Sequence, residues 1–210
     1  MSADGRTTDT KQKLFLAALE LFAEKGVDGT SIRDIVNAVG VSTAAFYNHF
    51  KSKDALLQAL YNDYVKSSIQ EQSFQWSDVE RLVDEKGPLD AFREASFRFI
   101  SAMNDPVCAK LVKIISMEKD KNPVAAEISF QDRMKVVTLM EEFFLLLQKK
   151  GYVRGKNARL RGRMFGYIQL AFSVENTYRF FMKKEPVEKI VKEQNKIMLE
   201  FLTEMIGGEG

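Results

Sequence analysis

The sequence predicts an all-α protein, and three observations carry that expectation. Apolar residues recur at spacings of three and four through most of the 210-residue chain, strand-like alternation is almost absent, and most of the 4 prolines and 12 glycines separate the periodic stretches. Hydrophobic residues make up 45% of the chain and charged residues 29%, enough apolar surface to bury a core and too ordinary a balance for wholesale disorder. The longest unbroken apolar run, Leu14 to Leu19, is far short of the roughly 20 residues a membrane span needs.

The elements follow in order. Residues 1–9, acidic and polar without an apolar stretch, are expected as a disordered polar tail and not as a secretory signal. Thr10, Leu14, Ala17, Ala18, Leu21 and Phe22 mark the first helix, which Gly26 and Gly29 end. Thr30 and Ser31 are good N-caps for a short second helix, and Ser31 with Asp34 has the spacing of a capping box. Ile32, Ile35, Val36 and Val39 are its stripe, Gly40 breaks it, and a third helix is expected from Thr43 to Phe50. Lys53 to Ile69 reads as a longer connecting helix with Leu56, Leu57, Leu60 and Tyr64 on one side. Residues 73–88 show little periodicity. Gly87-Pro88, Asp105-Pro106, Asn122-Pro123, Gly151, Gly155 and Glu185-Pro186 then punctuate five helices, over 89–104, 106–121, 123–150, 157–184 and 187–206.

The segment Thr30 to Lys53 has the layout of a helix-turn-helix: a short helix, a glycine able to take positive φ at the turn, and a second helix. Phe46 and Phe50 are four apart and point one face inward, leaving Ala44, Tyr47 and Asn48 outside. Small residues at 44 and 45 suit close approach to a groove floor, where Asn48 can pair with adenine. From Thr10 to Leu60, including the run GVSTAAFYNHFKSKDALL, the chain resembles the DNA-binding domain of the TetR family of bacterial transcriptional regulators. Gly29-Thr30, Ile35, Gly40-Val41-Ser42, the run Tyr47 to Phe50, and Lys53 carry the resemblance; Phe46 stands where family members usually have Leu. It implies that Thr30, Tyr47, His49 and Lys53 hold the phosphate backbone and that Arg33, Ser42, Thr43, Ala44 and Asn48 face base edges. Beyond this first third only length and helical layout match.

The resulting expectation is a helix-turn-helix DNA-binding domain over 10–52, a connecting helix over 53–69, and a helical ligand-binding and dimerisation domain over 70–210. Residues 1–64 hold seven Lys plus Arg against eight acids, so DNA binding would rely on local placement, helix dipoles and a paired subunit more than on a broad positive field. The function implied is a ligand-responsive regulator, a repressor that binds a pseudo-palindromic double-stranded operator as a homodimer and is released by a small-molecule effector. A transcriptional activator of the same fold, and a helical small-molecule-binding protein without DNA binding, are the alternatives.

The single histidine, His49, lies inside the motif, and the single cysteine, Cys108, forms no internal disulfide. No zinc-ligand spacing, independent catalytic triad or phosphate-cradling loop accompanies them, so no catalytic residue, metal or cofactor is expected, and a cytoplasmic location is. Paired carboxylates such as Glu141-Glu142 read as a solvated face. Residues 161–181 are apolar around much of a helix, so that helix must be covered on more than one side. Gly162 and Gly166, with Ile197 and Phe201 on the last helix, are the expected dimer seam. An apolar or aromatic effector is expected to meet Phe99, Met103, Met117, Met140, Phe165 and Phe172, residues suited to an adaptable apolar cavity.

Overall fold

A computed structural model describes residues 3–70, 76–101 and 105–207, with side chains described over 9–65, 78–97 and 105–206. Among these residues the chain is helical without strands: α1 (Ala3–Lys25), α2 (Ile32–Val39), α3 (Thr43–Tyr47), α4 (Lys53–Gln70), α5 (Trp76–Lys86), α6 (Pro88–Ser101), α7 (Pro106–Glu118), α8 (Pro123–Lys149), α9 (Ala158–Phe181) and α10 (Val187–Gly207).

Several boundaries differ from the sequence reading, α7 ending at Glu118 and α9 at Phe181 among them. α1 begins at Ala3, so most of the stretch expected as a polar tail is helical. α3 closes at Tyr47 instead of Phe50, because the His49 N–H bonds the Phe46 carbonyl at 2.9 Å and tightens the last turn. α5 occupies the stretch with little apparent periodicity. Among its described side chains Val79, Leu82 and Val83 form the apolar face, enough to bury one side among charged neighbours.

The residues form two compact units. The first gathers α1–α4, α7 and the start of α8 to Ser129; the second gathers α5, α6, α8 from Phe130, α9 and α10. This departs from the expected linear division at residues 53 and 70. The reason is packing: Leu111, Ile114, Ile115 and Ala125 are buried in one core with Leu14, Phe22, Ile35, Phe46, Leu56 and Tyr61. Ion pairs reinforce the attachment, Glu20 with Lys110 and Asp28 with Lys121, the latter at 2.5 Å. The hydrogen bond and charge of Lys121 hold the Asp28 carboxyl below its usual range.

The second core holds a ring cluster among aliphatic side chains such as Leu82, Leu147 and Leu202. The rings of Phe92 and Phe144 lie 5.3 and 5.4 Å from that of Phe165, and Phe201 stacks on the same ring at 5.8 Å. At the α9–α10 turn Lys184 takes a left-handed φ of 57°, and Arg179 reaches back to Glu185 at 2.8 Å and to Glu193.

Candidate nucleic-acid interface

The first unit builds an outward-facing helix from a few local devices. Ser31 caps α2: its hydroxyl accepts the Asp34 N–H at 3.1 Å, while the Asp34 carboxylate accepts the Ser31 backbone N–H at 2.8 Å. Hydrogen bonds from the Ser31 side chain first, and its backbone second, lower the Asp34 pKa. Gly40 ends α2 at φ 74°, its N–H bonding the Asn37 carbonyl and the Val41 N–H bonding that of Val36, a reversal that left-handed glycine makes without strain. Ser42 then caps α3 by accepting the Ala45 N–H at 3.2 Å.

Phe46 and Phe50 orient α3. Both are buried, with ring centroids 5.8 Å apart, in the core that holds Ile35 and Val36. Thr43, Ala44, Tyr47 and Asn48 are exposed, and Tyr47, 55% exposed, is braced edge-on by the Phe46 ring. Arg33 and Ser42 are also exposed, and His49 is half-buried. The structure thus brings Ser42, Thr43, Ala44, Tyr47 and Asn48 to one surface segment, with Arg33 exposed on α2 before it.

Two residues expected at the phosphate backbone are engaged elsewhere. Thr30 is only 1% exposed, and its hydroxyl donates to the Gly26 carbonyl at 2.8 Å, so its side chain closes the α1–α2 loop and does not reach outward. Lys53 is half-buried, and its ammonium donates to the Val27 and Thr30 carbonyls at 2.6 and 2.8 Å. It ties the first turn of α4 to the same loop, which leaves one of three protons for any phosphate. Sequence patterns give the residue types but not these carbonyl partners.

Three of the six expected effector residues, Met140, Phe165 and Phe172, meet in one core. Phe165 is fully buried among other rings, Met140 and Phe172 pack partly buried on the same core, and Met117 belongs to the first unit, where its methyl approaches Gly26. Met103 and the Phe99 side chain lie outside the described residues. The glycines expected at a dimer seam serve a crossing within the chain. A Cβ on Gly162 would stand 2.3 Å from the Met140 carbonyl oxygen and 2.7 Å from the Glu141 Cα, and one on Gly166 would stand 2.8 Å from the Val137 Cα. Both glycines are buried where α9 meets α8, with Glu141 paired to Arg163 at 2.5 Å beside them.

Ile197 and Phe201 are exposed on α10. A longer stripe escaped the sequence reading: Leu160, Met164, Tyr167, Ala171, Val174 and Tyr178 are exposed along α9 at alternating spacings of four and three. That heptad rhythm is the signal that locates the stripe in the sequence.

The model of the bacterial regulatory proteins of the tetR family matches residues 14–60, which run from α1 through α2 and α3 into α4. The HTH-type transcriptional regulator YerO of Bacillus subtilis is 38% identical over 168 residues, 77% of this chain and 56% of that protein. The chain belongs to the TetR family. It spans about half the length of the curated TetR-type relatives it matches first. Among solved structures, the ketosteroid transcriptional regulator KstR2 of Mycobacterium tuberculosis aligns at a TM-score of 0.66 and 18% identity, over 91% of this chain and 93% of that one. AibR, solved with isovaleryl coenzyme A and operator DNA, aligns at 0.62 and 20% identity, over 90% and 97%. At those identities the likeness establishes the fold: an N-terminal helix-turn-helix with a helical remainder. The TetR-type relatives are regulators, a family that is not enzymatic. Among the described residues no three His, Cys, Asp or Glu group as metal ligands, and no helix is long and apolar enough to cross a membrane.

Proposed function

We propose that this protein is a transcriptional repressor that binds a pseudo-palindromic operator as a homodimer and leaves it when a small molecule binds. The observation that carries the reading is the exposed set Thr43, Ala44, Tyr47 and Asn48 on a helix anchored from below by Phe46 and Phe50. Ala44 and Thr43 offer methyls to thymine, Asn48 offers a bidentate partner to adenine, and Tyr47 and His49 are positioned as phosphate donors. Arg33 adds a fork for a guanine edge. Thr30 and Lys53 act one step back, by fixing the loop from which α2 starts.

The homodimer rests on the α9 stripe. Six apolar side chains in heptad register on a solvent-facing helix, joined by Ile197 and Phe201 of α10, suit a four-helix seam with the same two helices of a second copy. A twofold pair sets two α3 helices about 34 to 36 Å apart, one turn of duplex. An effector that prefers a conformer with another spacing lowers operator affinity tenfold for about 1.4 kcal/mol of differential binding. The effector-bound and operator-bound state of AibR, a protein of the same fold, supports pairing the two activities.

One second reading has an observation in its favour. Seven basic against eight acidic residues over 1–64, with Lys53 already held by carbonyls, suits a small-molecule-binding protein that no longer binds DNA. Selection of bound duplexes from a random pool separates the two. The repressor reading expects an enriched palindrome with half-sites one turn apart; an unenriched pool removes it.

A further inference from the structure

The second unit carries an open groove of about 750 Å³ between α6 and α10, within the range of small-molecule sites and lined by none of the residues expected to meet an effector. Its floor is apolar, with Val191 and Leu199 from α10 and Phe97 from α6. Asn195 lies between Val191 and Leu199 on the same line of α10. It is 8% exposed, lines the groove, and makes no side-chain hydrogen bond to any described residue. Its carboxamide atoms reach the solvent of the groove and have no partner among the described residues, so a ligand can hydrogen-bond them there in place of water.

The charges around it are not equivalent. On the α6 side Lys86 pairs with Glu94 at 2.8 Å, and Arg93 pairs with Asp90. On α10 the ammonium groups of Lys192 and Lys196 have no ion pair among the described residues, and both line the groove. Lys192, Asn195 and Lys196 fall at i, i+3 and i+4, one patch of one helical turn that presents only unpaired donors together with the Asn195 carbonyl. Glu188 and Glu200 lie one turn beyond on either side, so the cationic character is confined to the middle of the groove.

We propose that this groove binds an elongated aliphatic carboxylate, its chain on Val191, Leu199 and Phe97 and its carboxylate on Asn195, Lys192 and Lys196. Charge-assisted hydrogen bonds supply the head-group contact and apolar burial supplies the chain contact. The inference deepens the effector role proposed above and rests on it for its regulatory meaning, although binding itself does not require DNA.

Titration calorimetry of the full chain with laurate, below its micelle-forming concentration and without DNA, tests it. One laurate per protomer is expected, with 1-dodecanol at least tenfold weaker. The paired variant Lys192→Gln with Lys196→Gln, and separately Asn195→Leu, should each weaken laurate at least tenfold while melting as cooperatively as the parent. The lysine pair is exposed, so its folding is not in question even if Asn195→Leu disturbs packing. Absence of laurate binding, or binding that the lysine pair leaves unchanged, overturns the proposal even where the random pool yields an operator. Groove-dependent laurate binding by a protein that enriches no duplex keeps the site and removes the repressor reading.

Discussion

Gly162→Ala is the sharpest test of where α9 packs. The added Cβ would stand 2.3 Å from the Met140 carbonyl oxygen, against about 3.3 to 3.6 Å for an ordinary close C···O approach. The next two atoms, the Glu141 Cα and the Met140 carbonyl carbon at 2.7 and 2.9 Å, are backbone as well, so no side chain can rotate away. The helices must part by about 1 Å, and because all three contacts are backbone the overpacking cost lies at the upper end of the usual range, about 3 kcal/mol. Helix propensity works in the opposite direction, favouring Ala over Gly by about 1 kcal/mol. The net expectation is a loss of about 2 kcal/mol, or roughly 4 to 8 °C in Tm for a chain of this size. Thermal and urea unfolding at two protein concentrations a hundredfold apart provide the assay. The same loss at both concentrations is expected, because the crossing lies within one chain. A neutral or stabilising substitution, or a loss that grows on dilution, would refute the assignment and return Gly162 to the subunit seam.

Other consequences are as direct. Tyr61→Phe should stabilise the fold by about 1 kcal/mol in urea unfolding, since the Tyr61 hydroxyl is buried with no hydrogen-bond partner among the described residues and its pKa is raised by burial first and by Glu118 second. Glu185 is held down to about 2 from its ordinary 4.5 by hydrogen bonds from Arg179 first and Lys189 second. Its contribution to stability is therefore complete above pH 4.5 and lost as pH falls towards 2, and Glu185→Gln should flatten that part of the stability-pH curve measured by urea midpoints. Met164→Glu with Val174→Glu places two charges on the exposed α9 stripe. Sedimentation should show the dimer dissociating while the helical circular-dichroism signal persists, and an unchanged dimer would move the seam off this face.

Much of the first unit is legible in the chain because its signals are local. Ser31 with Asp34, Gly40, and Phe46 with Phe50 each act within one or two turns, and each does in the structure what its spacing implies. The docking of α7 against α1 is invisible by the same logic: Leu111 and Ile114 read as a generic apolar stripe, and nothing in their spacing names Leu14 or Phe22 as partners. Gly162 and Gly166 announce a close approach without saying to what, and the partner proves to be α8. Phe165 looks like a cavity wall from sequence and is the centre of a ring cluster. The α6–α10 groove was hidden for the opposite reason. Lys192, Asn195 and Lys196 carry no apolar signal in the sequence, and burial sets Asn195 apart from the two lysines.

The central claim is that two copies of α3 enter the duplex together, one on each half-site. The measurement that tests it most directly is the affinity of the protein for its selected duplex as half-site spacing is varied. Insertion of about five base pairs, half a helical turn, should cut affinity at least tenfold, and about ten should restore part of it. On the parent spacing, Asn48→Ala should cost about 1 to 3 kcal/mol at a single base position in each half-site. Affinity indifferent to spacing and to Asn48 would contradict the account.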